Sequence, residues 1–245
     1  MQRYFIDSQQ FFDHHVVITG DDVHHLVKVM RAEIGELIWV SDGRGRVVKA
    51  RLSALDTKEV RADIMEDVQQ ETELPIQVTI AQGLPKGDKL EWILQKGTEL
   101  GATAFLPFQS ERTIVKLDAK KEPKKLERWN KIVKEAAEQS HRAYLPEVKA
   151  SVSFKQVMEL AKGYSKAMIA YEKEDTKRMG EALQDLQPGD SLLVIIGPEG
   201  GLSEAEVRLA EANGITSVSL GPRILRTETA SQYVLSAISY QFEQV

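Results

Sequence analysis

The sequence of 245 residues predicts an α/β fold with a mostly parallel sheet, preceded by a small β-rich module. Three observations support this prediction. Strand-like runs surround a glycine turn before residue 70, apolar strands alternate with helices after Pro75, and two late strands each end in a Gly-Pro turn. Nearly continuous apolar strands are typical of parallel sheets that are covered on both faces. We therefore expect domains over residues 1–72 and 73–245, joined in the polar stretch VQQETELP.

The first domain is predicted to be a barrel-like module with one short helix. GDDVHHLVKVMR places Val23, Leu26, Val27 and Met30 on one helical face. GELIWVSDGRGRVVKARLSAL contains two strands around residues 42–45, where glycines accept the positive φ of a tight hairpin turn. EVRADIMEDV alternates apolar and charged residues, as a half-buried strand does.

The second domain alternates strands and helices. IQVTIAQGL, TAFLPF, SKAMIAY, SLLVIIG and TSVSL are the predicted strands. GDKLEWILQKGTELG predicts a helix that Gly101 closes in a left-handed cap. A long helix is expected over residues 122–140, with Trp129 and Val133 inward, and a last helix from Thr227. Ligands of open parallel sheets bind beyond the carboxyl ends of the strands.

Composition and charge exclude several classes of protein. The longest apolar runs are too short to span a bilayer, and the amino terminus does not resemble a signal peptide. The absence of cysteine fits a cytoplasmic location and excludes a thiolate nucleophile. Because His24 and His25 are adjacent rather than four residues apart, no metal is expected.

The formal net charge of −5 means that any nucleic-acid binding has to come from local basic patches. Residues 112–134 hold nine Lys or Arg against three acids, and residues 28–51 hold six against three. Solvated helix and strand faces are the alternative explanation for such charge runs. Phosphate contact is the functional interpretation for these basic residues: Arg3, Lys28, Arg31, Arg44, Arg46, Lys121, Lys124 and Lys125.

Two turns follow neighbouring strands and predict a ligand site. IIGPEGGLSEAE leaves one strand through three glycines and a proline, after which Ser203 and Glu206 form a capping box. LGPRILRTETA leaves the next strand through Gly-Pro, and we expect its apolar Ile224 and Leu225 to be buried away from the helix that Thr227 caps. The spacing matches neither GxGxxG nor a phosphate-binding P-loop. Main-chain groups beside aliphatic side chains suit a flat aromatic ligand such as adenine.

GPEGGLSEAE followed by LGPRILRTETA closely resembles the SPOUT-superfamily methyltransferases, specifically the bacterial family that methylates N3 of a uridine in 16S ribosomal RNA. HHLVKVMR, QGLPKGDKLEWILQKGTELG and EAAEQSHR are also similar to that family, so the resemblance covers essentially the whole chain. It implies an amino-terminal PUA-like barrel that holds RNA and a SPOUT domain with a trefoil knot. It also implies a homodimer that binds S-adenosylmethionine and acts on 16S ribosomal RNA or the small ribosomal subunit.

The resemblance assigns roles to residues of the two turns. The residues expected to bind the cofactor are Gly197, Pro198, Glu199, Gly200, Leu220, Gly221, Ile224, Leu225 and Thr229. Arg226 is the first candidate to stabilise a uridine anion, although a surface pair with Glu228 is the alternative. Arg142 is a second catalytic candidate, although its charge could simply complement the helix dipole. The proton acceptor is not assigned.

Three other functions compete with this interpretation. A non-catalytic RNA-binding protein would keep the basic patches but not bind S-adenosylmethionine. A SPOUT methyltransferase for another RNA would keep the cofactor and change the target. An oxidoreductase would prefer NAD, so titration of both ligands separates a dehydrogenase from a methyltransferase.

Overall fold

The structure is a computed structural model that describes residues 1–114 and 120–244. Lys116 and Asp118 of the basic run lie outside the described residues. Contacts divide the chain into two compact units. The first unit comprises Met1–Glu73 and Ala137–Leu145, and the second comprises Leu74–Ala136 and Pro146–Val245. The chain therefore enters the first unit twice.

The first unit contains a five-stranded sheet and little helix. Its strands are β1 (Arg3–Phe5), β2 (His15–Thr19), β3 (Leu37–Ser41), β4 (Val47–Leu55) and β5 (Glu59–Asp67). They are ordered β1-β3-β4-β5-β2, antiparallel except for the pair β1 and β3. The predicted hairpin therefore joins β3 to β4. Strands β1 and β2 were not predicted.

The short helix of this unit changes its winding. Helix α1 (Asp21–His24) continues as a π-helix over His25–Val29. Val23 and Leu26 are buried as predicted, but Met30 is 41% exposed. A π-helix winds more residues into each turn, so Met30 rotates away from the buried face. The prediction for Met30 was wrong because it assumed a regular α-helix.

The second unit is a parallel sheet with helices on both faces. Its strands are β6 (Gln77–Gly83), β7 (Ala104–Gln109), β8 (Glu147–Val148), β9 (Val152–Ser153), β10 (Lys166–Ala170), β11 (Ser191–Ile196) and β12 (Thr216–Val218). The order is β12-β10-β11-β6-β7-β8, with β9 also paired to β7, and every pair is parallel. The mostly parallel sheet predicted for this part of the chain is confirmed.

In the part of the chain that the structure describes, six helices cover this sheet, and the last residues of α3 belong to the first unit. They are α2 (Lys89–Glu99), α3 (Glu122–Gln139), α4 (Phe154–Ala161), α5 (Met179–Leu183), α6 (Glu204–Ala212) and α7 (Thr227–Glu243). Along β11, Leu192 and Val194 belong to one apolar core, and Leu193 and Ile195 belong to the other. This alternation is the two-residue period of a strand that is buried on both sides.

Candidate cofactor cleft and basic surfaces

A cleft of about 560 Å³ lies in the second unit, at the carboxyl ends of its parallel strands. Residues from the ends of β10, β11 and β12 form its walls, together with Lys89 and the first turn of α7. Its volume falls within the roughly 300–1,000 Å³ range of small-molecule sites. The cleft is thus where an open parallel sheet is expected to hold a ligand.

The glycine turn after β11 forms one wall of the cleft. Gly201 has φ +67°, and a Cβ at this position would lie 3.0 Å from Oε1 of Glu172. Ser203 Oγ accepts from the N–H of Glu206 at 3.3 Å, and the Glu206 carboxylate accepts from the N–H of Ser203 at 2.9 Å. The predicted capping box is therefore present, and it fixes where the turn ends and α6 begins.

The loop after β12 forms another wall, and because β10 lies between β11 and β12, the prediction that the two turns follow neighbouring strands was wrong. Among the described residues, no protein acceptor receives a hydrogen bond from the main-chain N–H of Leu220, Ile224 or Leu225. Leu225 is partly buried against the core, whereas Ile224 is 88% exposed. The prediction that both side chains are buried was therefore wrong for Ile224. The loop turns that side chain outward beside the cleft, where a ligand or another chain can cover it.

Thr227 does not cap α7 as predicted. Arg226 occupies the N-cap position, and Thr227 is the first helical residue. The Thr227 hydroxyl instead donates to the carbonyl of Gly197 at 2.6 Å. This hydrogen bond joins the first turn of α7 directly to the glycine turn after β11.

Charged groups at the rim hold the glycine turn. Lys89 Nζ lies 2.8 Å from the Glu199 carboxylate, which also accepts from the N–H of Lys86 at 3.0 Å. Partial burial acts to raise the pKa of Glu199, but the bonds from Lys89 and Lys86 outweigh it and leave that pKa below its ordinary value. On the other side, Arg112 donates to the carbonyl of Gly200 at 3.0 Å.

The cleft brings together most of the residues predicted to bind a cofactor. Those that line it are Gly197, Pro198, Glu199, Gly200, Leu220, Gly221, Ile224 and Leu225, and the candidate catalytic Arg226 lines it too. Thr229 does not line it. On α7, Thr227 and Ala230 face the cleft, so Thr229, two residues from Thr227, points elsewhere.

Sequence reasoning missed Lys89, Tyr171 and Glu172, which also line the cleft. The last two directly follow strand β10. The rule that ligands bind beyond the carboxyl ends of parallel strands could have identified them. Glu172 adds a second carboxylate to the cleft, in addition to that of the predicted Glu199.

Arg142, the second catalytic candidate, lies in the first unit and is 2% exposed. Its guanidinium is paired with the Glu73 carboxylate, which also accepts from the N–H of Ala143 at 3.1 Å. A buried charge of this kind requires its partner. The structure therefore gives Arg142 an internal partner, and its catalytic role stays a prediction.

The basic residues of the first unit differ in exposure. Lys28, Arg31, Arg44 and Arg46 are exposed, and Arg46 also pairs with Asp67 at 2.9 Å. Arg3 is 3% exposed, and its guanidinium donates to the carbonyl of Arg142. Burial lowers the pKa of Arg3 to about 10, although the negative charge of Glu73 acts to raise it. A phosphate contact by Arg3 has no support in this geometry, because its side chain is enclosed by protein.

Helix α3 carries an exposed basic surface. Trp129 and Val133 are buried as predicted, whereas Lys121, Lys124 and Lys125 are exposed near its start. We call these three lysines the α3 lysine patch. A patch of this kind can neutralise phosphates without reading a base sequence.

Comparison with known proteins identifies the family. Residues 72–239 match the RNA methyltransferase domain family, and residues 18–65 match the RNA methyltransferase PUA domain. The chain is 51% identical to ribosomal RNA small subunit methyltransferase E of Bacillus subtilis (strain 168), across 99% of this chain and 98% of that protein. This chain belongs to the small subunit methyltransferase E family. The methyltransferase fold and PUA-like domain that the resemblance implied are confirmed.

Solved structures of similar proteins support the assignment to the methyltransferase E family. A hypothetical protein of known crystal structure is 49% identical, with a TM-score of 0.92 and 99% of both chains covered. A methyltransferase E from Neisseria gonorrhoeae, crystallised bound to S-adenosyl methionine, is 32% identical, with a TM-score of 0.87 over 99% of this chain and 98% of that one.

Neither a metal centre nor a membrane helix emerges from the part of the chain that the structure describes. No three His, Cys, Asp or Glu side chains there are grouped so as to hold a metal ion. None of the described helices is both long and apolar enough to cross a membrane. His25 Nδ1 lies 3.0 Å from the Tyr4 hydroxyl, which gives that imidazole a partner within the first unit.

Proposed function

We propose that this chain transfers a methyl group from S-adenosylmethionine to N3 of a uridine in the 16S ribosomal RNA of the small subunit. The observation that carries the proposal is the cleft between the two Gly-Pro turns, in a chain of the methyltransferase E family. The relative from Neisseria gonorrhoeae binds S-adenosyl methionine, and its similarity to this chain supports the same cofactor here.

The residues of the cleft fit this cofactor. The N–H groups of Leu220, Ile224 and Leu225 have no acceptor among the described residues, and they can bond the edge of an adenine. Leu225 supplies apolar surface for the ring. Glu172 and Glu199 place carboxylates at a cleft that would receive a cationic ligand. When bound, the cofactor supplies a methyl group on a positively charged sulfur.

The task of the protein is alignment and charge stabilisation. Alignment of the reacting groups can contribute about 7–11 kcal/mol in well-oriented systems. N3 of uridine carries a proton, and it becomes a nucleophile only as that proton leaves. The uracil ring then carries a negative charge. We assign the stabilisation of that anion to Arg226, which is exposed at the cleft. The Arg142 guanidinium is paired with Glu73, and its catalytic role stays a prediction that this step does not use.

Exposed basic side chains provide the proposed RNA contacts. We assign phosphate binding to Lys28, Arg31, Arg44 and Arg46 of the first unit and to the α3 lysine patch, because all of these side chains are exposed. A cytoplasmic location follows from a ribosomal RNA substrate. The trefoil knot implied by the family resemblance is part of the proposal.

A homodimer is the proposed assembly. Ile224 and Tyr240 are 88% and 65% exposed, and Trp92 on α2, the helix that packs against α7, is 50% exposed. Exposed aromatic and aliphatic side chains of this kind are typical of surfaces that another chain covers. Light scattering should give twice the chain mass of 27.5 kDa. A monomeric mass at micromolar concentration would contradict the dimer.

Two measurements test the activity. Calorimetry should detect binding of S-adenosylmethionine and little or no binding of NAD. Mass mapping of 16S ribosomal RNA should find one methylated uridine in cells with the protein and none at that position in cells without it. Identical maps would refute the proposed target, and NAD binding in preference to S-adenosylmethionine would refute the reaction class.

A further inference from the structure

A buried polar junction lies behind the cleft, where three elements of the second unit meet. Gln82, near the end of β6, is 0% exposed, and its amide nitrogen donates to Thr227 Oγ1 at 2.8 Å. The same nitrogen donates to the carbonyl of Gly83 at 3.0 Å and reaches the carbonyl of Gly197 at 3.4 Å. Thr227 completes the junction by donating its hydroxyl proton to Gly197.

The proton directions in this junction are determined by its members. Main-chain carbonyls can only accept, so one proton of the Gln82 NH₂ group points to Gly83, and the other is shared between Thr227 at 2.8 Å and Gly197 at 3.4 Å. The Thr227 proton points to Gly197, which leaves a lone pair of the hydroxyl to receive the bond from Gln82. Gln82 Oε1 is therefore turned away, and it has no hydrogen-bond partner among the described residues. This side chain acts in the junction as a donor.

A steric contact supports the same arrangement. A Cβ on Gly83 would lie 2.5 Å from Cδ and 2.6 Å from the nitrogen of Pro198. The end of β6 therefore packs directly against the glycine turn, at a distance that only glycine allows. The turn is held from behind by this contact and by the bonds of Gln82.

We propose that Gln82 is a positioning residue for the cofactor and for Arg226. Gln82 does not line the cleft, but it links Gly197 and Thr227, which both do. Because Arg226 immediately precedes Thr227, the junction also sets the position from which the Arg226 side chain starts. This inference rests on the proposed function, since it assumes that the cleft binds S-adenosylmethionine.

Gln82→Met separates positioning from stability. Methionine has a similar length and removes both the amide donor and the orphaned Oε1. Loss of a buried, unpartnered acceptor offsets the loss of the donor, so the free energy of unfolding should change little. The two turns would nevertheless lose their shared bond. The expected result is an unchanged or higher Tm without ligand, together with a Kd for S-adenosylmethionine raised about tenfold in calorimetry.

Thr227→Val tests the same junction from the other side and stays decisive if Gln82→Met folds poorly. It should raise the same Kd by a similar factor, whereas Thr227→Ser keeps the hydroxyl and should restore tight binding. Because Gln82 and Thr227 share one bond, their effects should not be independent. The double variant should raise the Kd for S-adenosylmethionine by less than the product of the two single-variant factors.

Thr79→Val is the matched control. Thr79 lies on the same strand, is 4% exposed, and its hydroxyl accepts from the Tyr164 hydroxyl at 3.1 Å. Its removal should lower Tm and leave the Kd within twofold. An unchanged Kd in Gln82→Met and Thr227→Val, or an equal rise in Thr79→Val, would overturn the inference. Failure of the unsubstituted chain to bind S-adenosylmethionine would overturn the proposed function and the inference with it.

Discussion

Gly201 illustrates how one residue type shapes the wall of the cleft. Its φ of +67° strains any residue with a Cβ, and a Cβ there would meet the Glu172 carboxylate at 3.0 Å. The turn therefore brings main chain and a carboxylate together where a larger residue would separate them. At this scale, function depends on which side chains are absent as well as on those that are present.

Arg226→Ala should lower the single-turnover methylation rate by about 100-fold and change the Kd for S-adenosylmethionine much less. The reason is that the proposed charge on the uridine ring develops only as the reaction proceeds. Arg223→Ala is the matched control, because Arg223 is exposed on the same loop and also lines the cleft. A normal single-turnover rate in Arg226→Ala would remove this residue from the mechanism.

The pair of Lys89 and Glu199 should stabilise the protein in a defined range of pH. Glu199 has a lowered pKa in the folded chain, so its contribution is complete above the ordinary value of 4.5 and is lost as pH falls through the lower, folded value. The difference in Tm between the unsubstituted chain and Glu199→Gln should stay constant from neutral pH to about 5.5 and shrink in more acidic buffer. Lys89→Met should reproduce this profile, and a difference that grows on acidification would contradict it.

Most of the cleft wall could be predicted from the two Gly-Pro turns, because glycine and proline determine the conformation of the local backbone. Ile224 and Thr227 could not be predicted in the same way. The exposure of Ile224 depends on how its loop turns beside the cleft, and the role of Thr227 depends on a carbonyl 30 residues away. Gln82 was missed for the same reason, since its partner Thr227 is 145 residues distant in sequence.

At the scale of elements, α3 is exposed near its start and buried further along. Trp129 and Val133 pack into the core, while the α3 lysine patch stays exposed. The spacing of four residues between Trp129 and Val133 made their shared burial predictable from sequence. Strands β1 and β2 were not predicted, although β12 and β3 have the same lengths and were, so length alone does not explain the omission.

Charge reversal of the α3 lysine patch, Lys121→Glu with Lys124→Glu and Lys125→Glu, should weaken RNA binding and flatten its dependence on salt. Each phosphate contact that is lost reduces the slope of log K against log salt by about 0.7–0.9. The Kd for S-adenosylmethionine should not change. Reversal of Lys58, Lys155 and Lys162, which are exposed elsewhere in the chain, alters net charge equally and serves as the control. Equal RNA affinity in both triple variants would reject the patch.

At the scale of the whole molecule, the chain returns to its first unit after 63 intervening residues (74–136). The returning segment, Ala137–Leu145, is bonded to the rest of that unit along its length. Ser41 Oγ donates to the carbonyl of Ala143 at 3.0 Å, and the N–H of Leu145 donates to the carbonyl of Gly43 at 3.0 Å. Glu73 pairs with Arg142 in the same unit. The sequence placed a boundary near residue 72 but gave no sign of this return, because the bonds are long-range.

The returning segment should therefore be required for the first unit to fold. A fragment of residues 1–73 lacks the partner of Glu73 and the acceptor of Ser41, so we expect weak, non-cooperative unfolding in circular dichroism. Fusion of residues 137–145 through a flexible Gly/Ser linker should restore a cooperative transition. Arg142→Ala in that fusion should remove about 3–5 kcal/mol of the recovered stability, the cost of breaking a buried ion pair. Tyr144→Ala is the control, since Tyr144 is 50% exposed and should cost much less. If the fragment of residues 1–73 unfolds as cooperatively as the fusion, the returning segment is an addition to a unit that is already complete.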